Sequence, residues 1–158
     1  MIAGLAQAIV LGVGAPNLEL IWGSLLTSQL GVGTWVLGLA IHLGVSGLIG
    51  SLYIAGFRAI RQGGWPTGLA FSGFHWIVMG GFFLGLLPYF HPLIPGEIPA
   101  PGYLGTNLGP SAFWSVLFSH LVFGWIVGAL DRQTPQSHEL FVQGHGHRHR
   151  PEQGQEAA

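Results

Sequence analysis

The chain has 158 residues; Asp, Glu, Lys and Arg make up 7% of them, where a soluble domain carries about a quarter, so a soluble monomeric surface is excluded. The formal net charge is −1 and all five basic residues are Arg, which leaves no basic stripe for a phosphate backbone and argues against nucleic-acid binding. There is no Cys, which removes disulfides, thiolate metal sites, iron–sulfur clusters and a cysteine nucleophile.

What remains is an apolar chain with 27 Gly, a composition suited to membrane helices, where small residues let backbones approach. The expected fold is all-α, an integral membrane bundle of about four transmembrane helices over residues 1–132, followed by a polar tail over 133–158. The first segment, residues 1–29, is interrupted by Pro16, Asn17 and Glu19. It reads either as one helix kinked at Pro16 or as a re-entrant segment broken there. The kinked helix is preferred, because proline is tolerated in membrane helices. No Lys or Arg precedes Arg58, so a cleaved signal peptide, which needs a positive start, is not expected.

Residues 30–57 form an uncharged run long enough to span, ended by Arg58 and Arg61 with Gly63 and Gly64 as a turn signal. Residues 66–90 form the next, opened by Pro66 in a first helical turn and closed by Pro88, His91 and Pro92. Residues 110–130 form the last. The intervening loop, residues 91–109, is rich in Pro and Gly, and its Leu93, Ile94, Ile98 and Leu104 are expected to fold over the bundle mouth. Trp35, Trp65, Tyr89 and Trp114 lie near helix ends as an interfacial belt would; Trp76 and Trp125 are deeper and are expected to pack between helices. In a four-span chain all five Arg fall on one side, so the positive-inside rule puts both termini in the cytoplasm.

Three histidines, His42, His75 and His120, lie in three different spans within about two helical turns of the same depth. Ionisable groups at such depth are costly and face the bundle interior, so the three are expected to converge. Small residues repeat around two of them: Gly38, His42, Ser46 and Gly50 share one helical face, as do His120, Gly124 and Gly128. The preferred reading is structural, with each imidazole bonding across a helix interface. A haem b held by His42 and His120, with His75 less well placed, is one functional reading. A divalent metal on these imidazoles is another. A proton or ion path using the histidines and Glu19 is a third. Glu19 reads either as an interfacial residue or as a charge facing the interior.

The tail carries His138 and then His145, His147 and His149 in alternation, a pattern that can chelate Ni, Zn or Cu weakly; the plainer reading is a solvated, disordered tail. No Gly-rich phosphate loop, no Ser-His-Asp arrangement and no zinc-protease helix motif is present.

The stretches Trp35 to Gly50, Phe74 to Pro92 and Phe113 to Leu130 share a cadence of membrane His followed by spaced Gly, with a short Pro/Gly loop before the last helix. In this the chain resembles bacterial four-helix inner-membrane proteins of the YagU-like group. The resemblance covers about two-thirds of the chain and implies a bacterial inner-membrane location and architecture only. The first segment departs from the pattern, and the His-rich tail lies outside it. The leading functional expectation is a non-enzymatic accessory subunit packed in the bilayer against membrane-protein partners. A haem b or metal carrier is the alternative, and a small transporter built as a homo-oligomer the second. An enzyme is least expected, since no acid–base pair beyond the histidines is evident.

Overall fold

A computed structural model of the chain describes residues 1–15 and 17–131. The tail, with His145, His147 and His149, lies outside the described residues. Within them the chain is all-helical, with three helices long and apolar enough to cross a membrane and a shorter apolar one before them.

The long helices follow from uninterrupted apolar sequence. We number the helices α1 Ile2–Gly14, α2 Leu18–Gly23, α3 Val32–Ile60, α4 Trp65–Phe90 and α5 Pro110–Leu130. α3 stops where Arg61 turns left-handed and the Gln62 N–H bonds back to the Phe57 carbonyl, a common way of satisfying the last carbonyls. α5 starts at Pro110 after Gly109, whose φ of +97° suits glycine. α4 is continuous but not uniform: Ile77–Phe83 is wound as a π-helix, a local widening that recurs at functional sites.

The first segment is not one kinked helix. Ala15, at φ −144° and ψ 58°, leaves the helical region, and a new helix starts at Leu18. The two pieces pack on different partners, which is the physical reason for the break. α1 lies on α5, with Gly14 against Ser111 and Ser115. α2 lies antiparallel on α3, with Glu19 backbone against Gly38 and Gly23 backbone against Thr34. α1 has 13 residues, about 20 Å of helix, which is short of the about 30 Å hydrocarbon core.

Helices α4 and α5 cross at glycine. A Cβ on Gly124 would strike the Gly68 carbonyl, and one on Gly128 the Gly64 carbonyl, so the two backbones touch as in small-xxx-small pairs. At the far end the 91–109 loop covers the bundle as expected: Leu93, Ile94 and Ile98 are buried with Leu11, Leu18, Ile21, Leu87 and Val116. Met1, Leu130 and Asp131 line one cleft at the opposite end, near the 61–64 turn. Trp65, Tyr89 and Trp114 are exposed, as a belt requires, but Trp125 is exposed as well and does not pack between helices. It sits one residue past Gly124, and the α4 contact claims the Gly124 face, which turns position 125 outward.

The glycine crossing yields a direct expectation. Gly124→Val forces a side chain into backbone and should destabilise the bundle by about 1–3 kcal/mol or more. Gly73→Ala, where a Cβ meets nothing within 4 Å, should be close to neutral. Thermal unfolding of the two variants in one detergent measures the contrast.

Candidate functional site

α1 and α5 read apolar, polar, apolar along their inward faces, and their polar residues meet those of α2, α3 and α4 around one cavity. On α1 the sequence is Ala3, Gln7, Leu11; on α5 it is Phe123, His120 with Ser119, Val116. On α3, His42 and Ser46 precede Tyr53 and Phe57. Toward the loop lies the core of Leu11, Leu18, Ile21, Leu87, Ala112 and Val116. Toward the opposite end lies a second core of Ala3, Tyr53, Phe57, Phe123 and Val127, with Phe71 against it. A polar layer is thereby closed between two apolar ones.

The strongest interaction in the layer joins α2 to α3. His42 Nδ1 lies 2.7 Å from Glu19 Oε1, a charge-assisted length, and the two residues are 7% and 2% exposed. The short helix α2 is what brings Glu19 there: Gly38 and Gly23 let its backbone lie directly on α3, so the carboxyl reaches the next turn of α3. Glu19 thus faces the interior, the second of the two readings open from sequence. Its other oxygen, Oε2, is buried with no hydrogen-bond partner.

On its other side His42 Nε2 lies 3.3 Å from Gln7 Oε1 on α1. With the amide oxygen facing it, Nε2 donates, and the pair holds one proton more, either as an imidazolium beside a carboxylate or as a neutral ring beside a carboxyl. A half-turn of the Gln7 amide presents an NH2 group instead, and the ring is then neutral and accepting. Gln7 can therefore satisfy His42 in either protonation state. The second oxygen of Glu19 has no donor, an arrangement costly for a carboxylate and cheap for a neutral carboxyl. Together these groups form a site that accommodates the gain or loss of one proton.

The other two histidines are brought together as expected, but as a pair of their own. The His75 and His120 rings meet edge to face at 4.7 Å between centroids. His75 Nδ1 is 3.2 Å from the Tyr53 hydroxyl, linking α4 to α3. His120 Nδ1 donates to the Val116 carbonyl of its own helix at 2.7 Å, which fixes the ring proton there and leaves Nε2 as an acceptor. The cross-helix role expected of all three histidines is thus filled by His42 and His75. Ser72 and Ser119 bond carbonyls of their own helices, so they leave the imidazoles free for one another.

A cavity of about 70 Å³ connects the two groups; His42, His75 and His120 all line it, with Gln7 and Ser46. It has room for a few waters with several polar partners, as buried water requires. The π-helical stretch of α4 contributes Met79, Gly80 and Phe83 to its wall. Among the described residues no group of three His, Asp or Glu side chains is placed to hold a metal ion. Two residues of the site, Gln7 and Tyr53, were not singled out from sequence. Each is a lone polar group in an apolar run, which is the signal that could have found them.

The Glu19–His42 pair should be worth more than an ordinary hydrogen bond between membrane helices, for which about 0.6 kcal/mol is the average. A double-mutant cycle of Glu19→Ala and His42→Ala, read from unfolding in mixed micelles, should give a coupling energy clearly above that. A cycle of Tyr53→Phe with His75→Ala should give a value near it.

No protein-family model matches this chain, and comparison with the curated proteins and with the solved structures found no match.

Proposed function

We propose that this chain is a non-enzymatic membrane protein that carries protons, as the proton-handling unit of a small transporter or of a larger membrane assembly. The observation that bears this reading is the buried Glu19–His42 pair inside a polar layer closed by apolar cores on both sides. Carboxylates and histidines inside membrane spans are costly to keep, and in pumps and transporters they form proton relays.

The route reads from the residues. A proton resides on the Glu19–His42 pair, whose partner Gln7 serves both protonation states. The cavity that Gln7, His42, His75 and His120 all line is wide enough for water to link the pair to the other two histidines. His75 is the last station: its Nδ1 faces the Tyr53 hydroxyl, and Phe57, Phe71 and Phe123 around that tyrosine close the way beyond it. Both ends are sealed, so transfer across the bilayer requires one apolar core at a time to open. The break between α1 and α2 and the π-helical stretch of α4 supply discontinuities of the kind transporters place at their sites.

Haem is less well served by this geometry. His42 has both ring nitrogens engaged by protein groups, and the cavity it shares with His120 is of water size. The purified protein should show no Soret band; a band lost on His42→Gln or His120→Gln would replace the proton reading with the haem one.

The arginines at 58 and 61 support, by the positive-inside rule, an orientation with the end that holds Gly63, Met1 and Asp131 toward the cytoplasm of a plasma membrane. On α3, Ala40, Gly44 and Ser51 are exposed, and a Cβ on Gly44 would meet nothing within 4 Å. This strip of small residues supports close approach by a second copy or by a partner helix.

Flux into liposomes tests the function. The full chain, reconstituted with a trapped pH dye under a potassium–valinomycin clamp, should acidify the lumen faster than empty vesicles. Glu19→Gln and His42→Gln should abolish the excess rate, and truncation after Gln133 should preserve it. A full-rate Glu19→Gln variant would refute the reading.

A further inference from the structure

The 91–109 loop is fastened to the bundle by one side chain outside the spans. His91 is 4% exposed. Its Nδ1 accepts the Leu93 N–H at 3.2 Å, so the ring proton of the neutral form sits on Nε2. Nε2 in turn donates to the Ile21 carbonyl at the end of α2, 3.1 Å away, with Ser24 Oγ at 3.2 Å. Ser24 Oγ also donates to Ile21 O. The ring therefore ties the start of the loop to the end of α2, and the fastening is complete only while the imidazole is neutral.

A second proton would unbalance it. The Nε2–H bond to Ile21 would survive, but the new proton would sit on Nδ1, facing the Leu93 N–H, so that opposed donors meet at the start of the loop. It would also place a positive charge in a buried position, where an unpaired charge is costly. The groups that touch His91 are a hydroxyl, a carbonyl and an amide, none of which carries a charge to balance it. On α2 the one ionisable residue is Glu19, whose Oε1 is held by His42. In the loop Glu97 is exposed, as are Tyr103 and, in the last turn of α4, Tyr89. The α3 end packed on α2 begins Val32, Gly33, Thr34 and carries no charge. Among the described residues no ion pair involves His91.

The loop it holds forms one wall of the seal above the polar layer. Leu93, Ile94 and Ile98 pack with Leu11, Leu18 and Val116, and those last three also line the cavity that contains His42 and His120. Lifting the loop uncovers residues that separate the layer from water.

We propose that His91 is a second proton-binding site and acts as a latch: neutral, it holds the 91–109 loop closed over the polar layer, and protonated, it releases the loop and opens the Glu19–His42 pair to water from that end. The purpose of the latch rests on the proton-carrying reading, but its operation does not, because release is a movement that can be measured without any flux. Imidazole suits the task, being the side chain that changes charge between about pH 5 and pH 8.

The chain has no Cys, so two can be introduced without background: Ser28→Cys in the turn after α2 and Gly96→Cys in the loop, both at exposed positions. Spin labels there report the distance between α2's end and the loop by double electron–electron resonance in liposomes. Wild-type His91 should give one short distance at about pH 7.5. At about pH 5.5 a longer population should appear. His91→Gln, which cannot take the second proton, should show the same distribution at both pH values, and so should His91→Leu. A wild-type distribution that ignores pH, or an acid response that persists in His91→Gln, would overturn the latch. Acid-driven release in a chain that shows no proton flux would leave the latch standing and remove the proton-carrying reading; flux with no release would do the reverse.

Discussion

A carboxyl group placed at bilayer depth, away from water, has to be neutral or paired, and most of this structure is arranged around that requirement for Glu19. Its partner His42 lies on another helix, and the partner of that histidine, Gln7, on a third. Three elements are therefore tied at one point. Toward the 61–64 turn α3 is held on α4 and α5 by the aromatic core of Tyr53, Phe57, Phe71 and Phe123, and the tie holds its other half, where α2 and α1 lie on it. Removing one member leaves a buried polar group without its partner, the situation that makes paired buried charges costly to break.

The break in the first segment follows from the same demand. A straight helix from residue 2 to residue 23 would rise about 30 Å and carry Gln7 and Glu19 about 18 Å apart, too far to reach one imidazole. Folding the chain at Ala15–Asn17 brings both to His42, α1 from one side and α2 from the other. The glycines at 23 and 38 are what make the second approach possible, since any side chain there would meet backbone. The apolar cores above and below then close the layer, and a polar site sealed on both sides can exchange protons with water only by moving.

Much of this was legible in the sequence where a single strong signal governed it. The last span runs from Pro110 to Leu130 as expected, because a glycine–proline start and a charged finish leave no other reading. The convergence of the three histidines was legible from depth alone, since each lies in its own span and lipid forbids the outward choice. Three things were not legible. The break between Gly14 and Leu18 depends on which helices the two halves pack on, and a proline in the sequence is by itself compatible with a kink. The division of the histidines into His42 with Glu19 and His75 with His120 depends on helix rotation, which spacing along one helix does not fix. Trp125 follows the same rule: the crossing of α4 and α5 at Gly124 decides its direction, and that crossing is a property of two helices. The latch at His91 was hidden for a simpler reason, as a histidine beside prolines after a span reads as a loop residue until Ile21 and Ser24 are seen beneath it.

The claim on which the account turns is that Glu19 and His42 hold their proton together, as one unit. Solid-state NMR of the full chain in lipid, with ¹⁵N-labelled imidazoles and ¹³C-labelled carboxyls, reads both sides of the pair. The account predicts that both His42 nitrogens carry hydrogen-bonded shifts, that the Glu19 carboxyl and the His42 ring change protonation in the same pH interval, and that Glu19→Gln moves the His42 signals while leaving those of His91 in place. A His42 ring that titrates like a free imidazole, with shifts indifferent to Glu19→Gln, would contradict it.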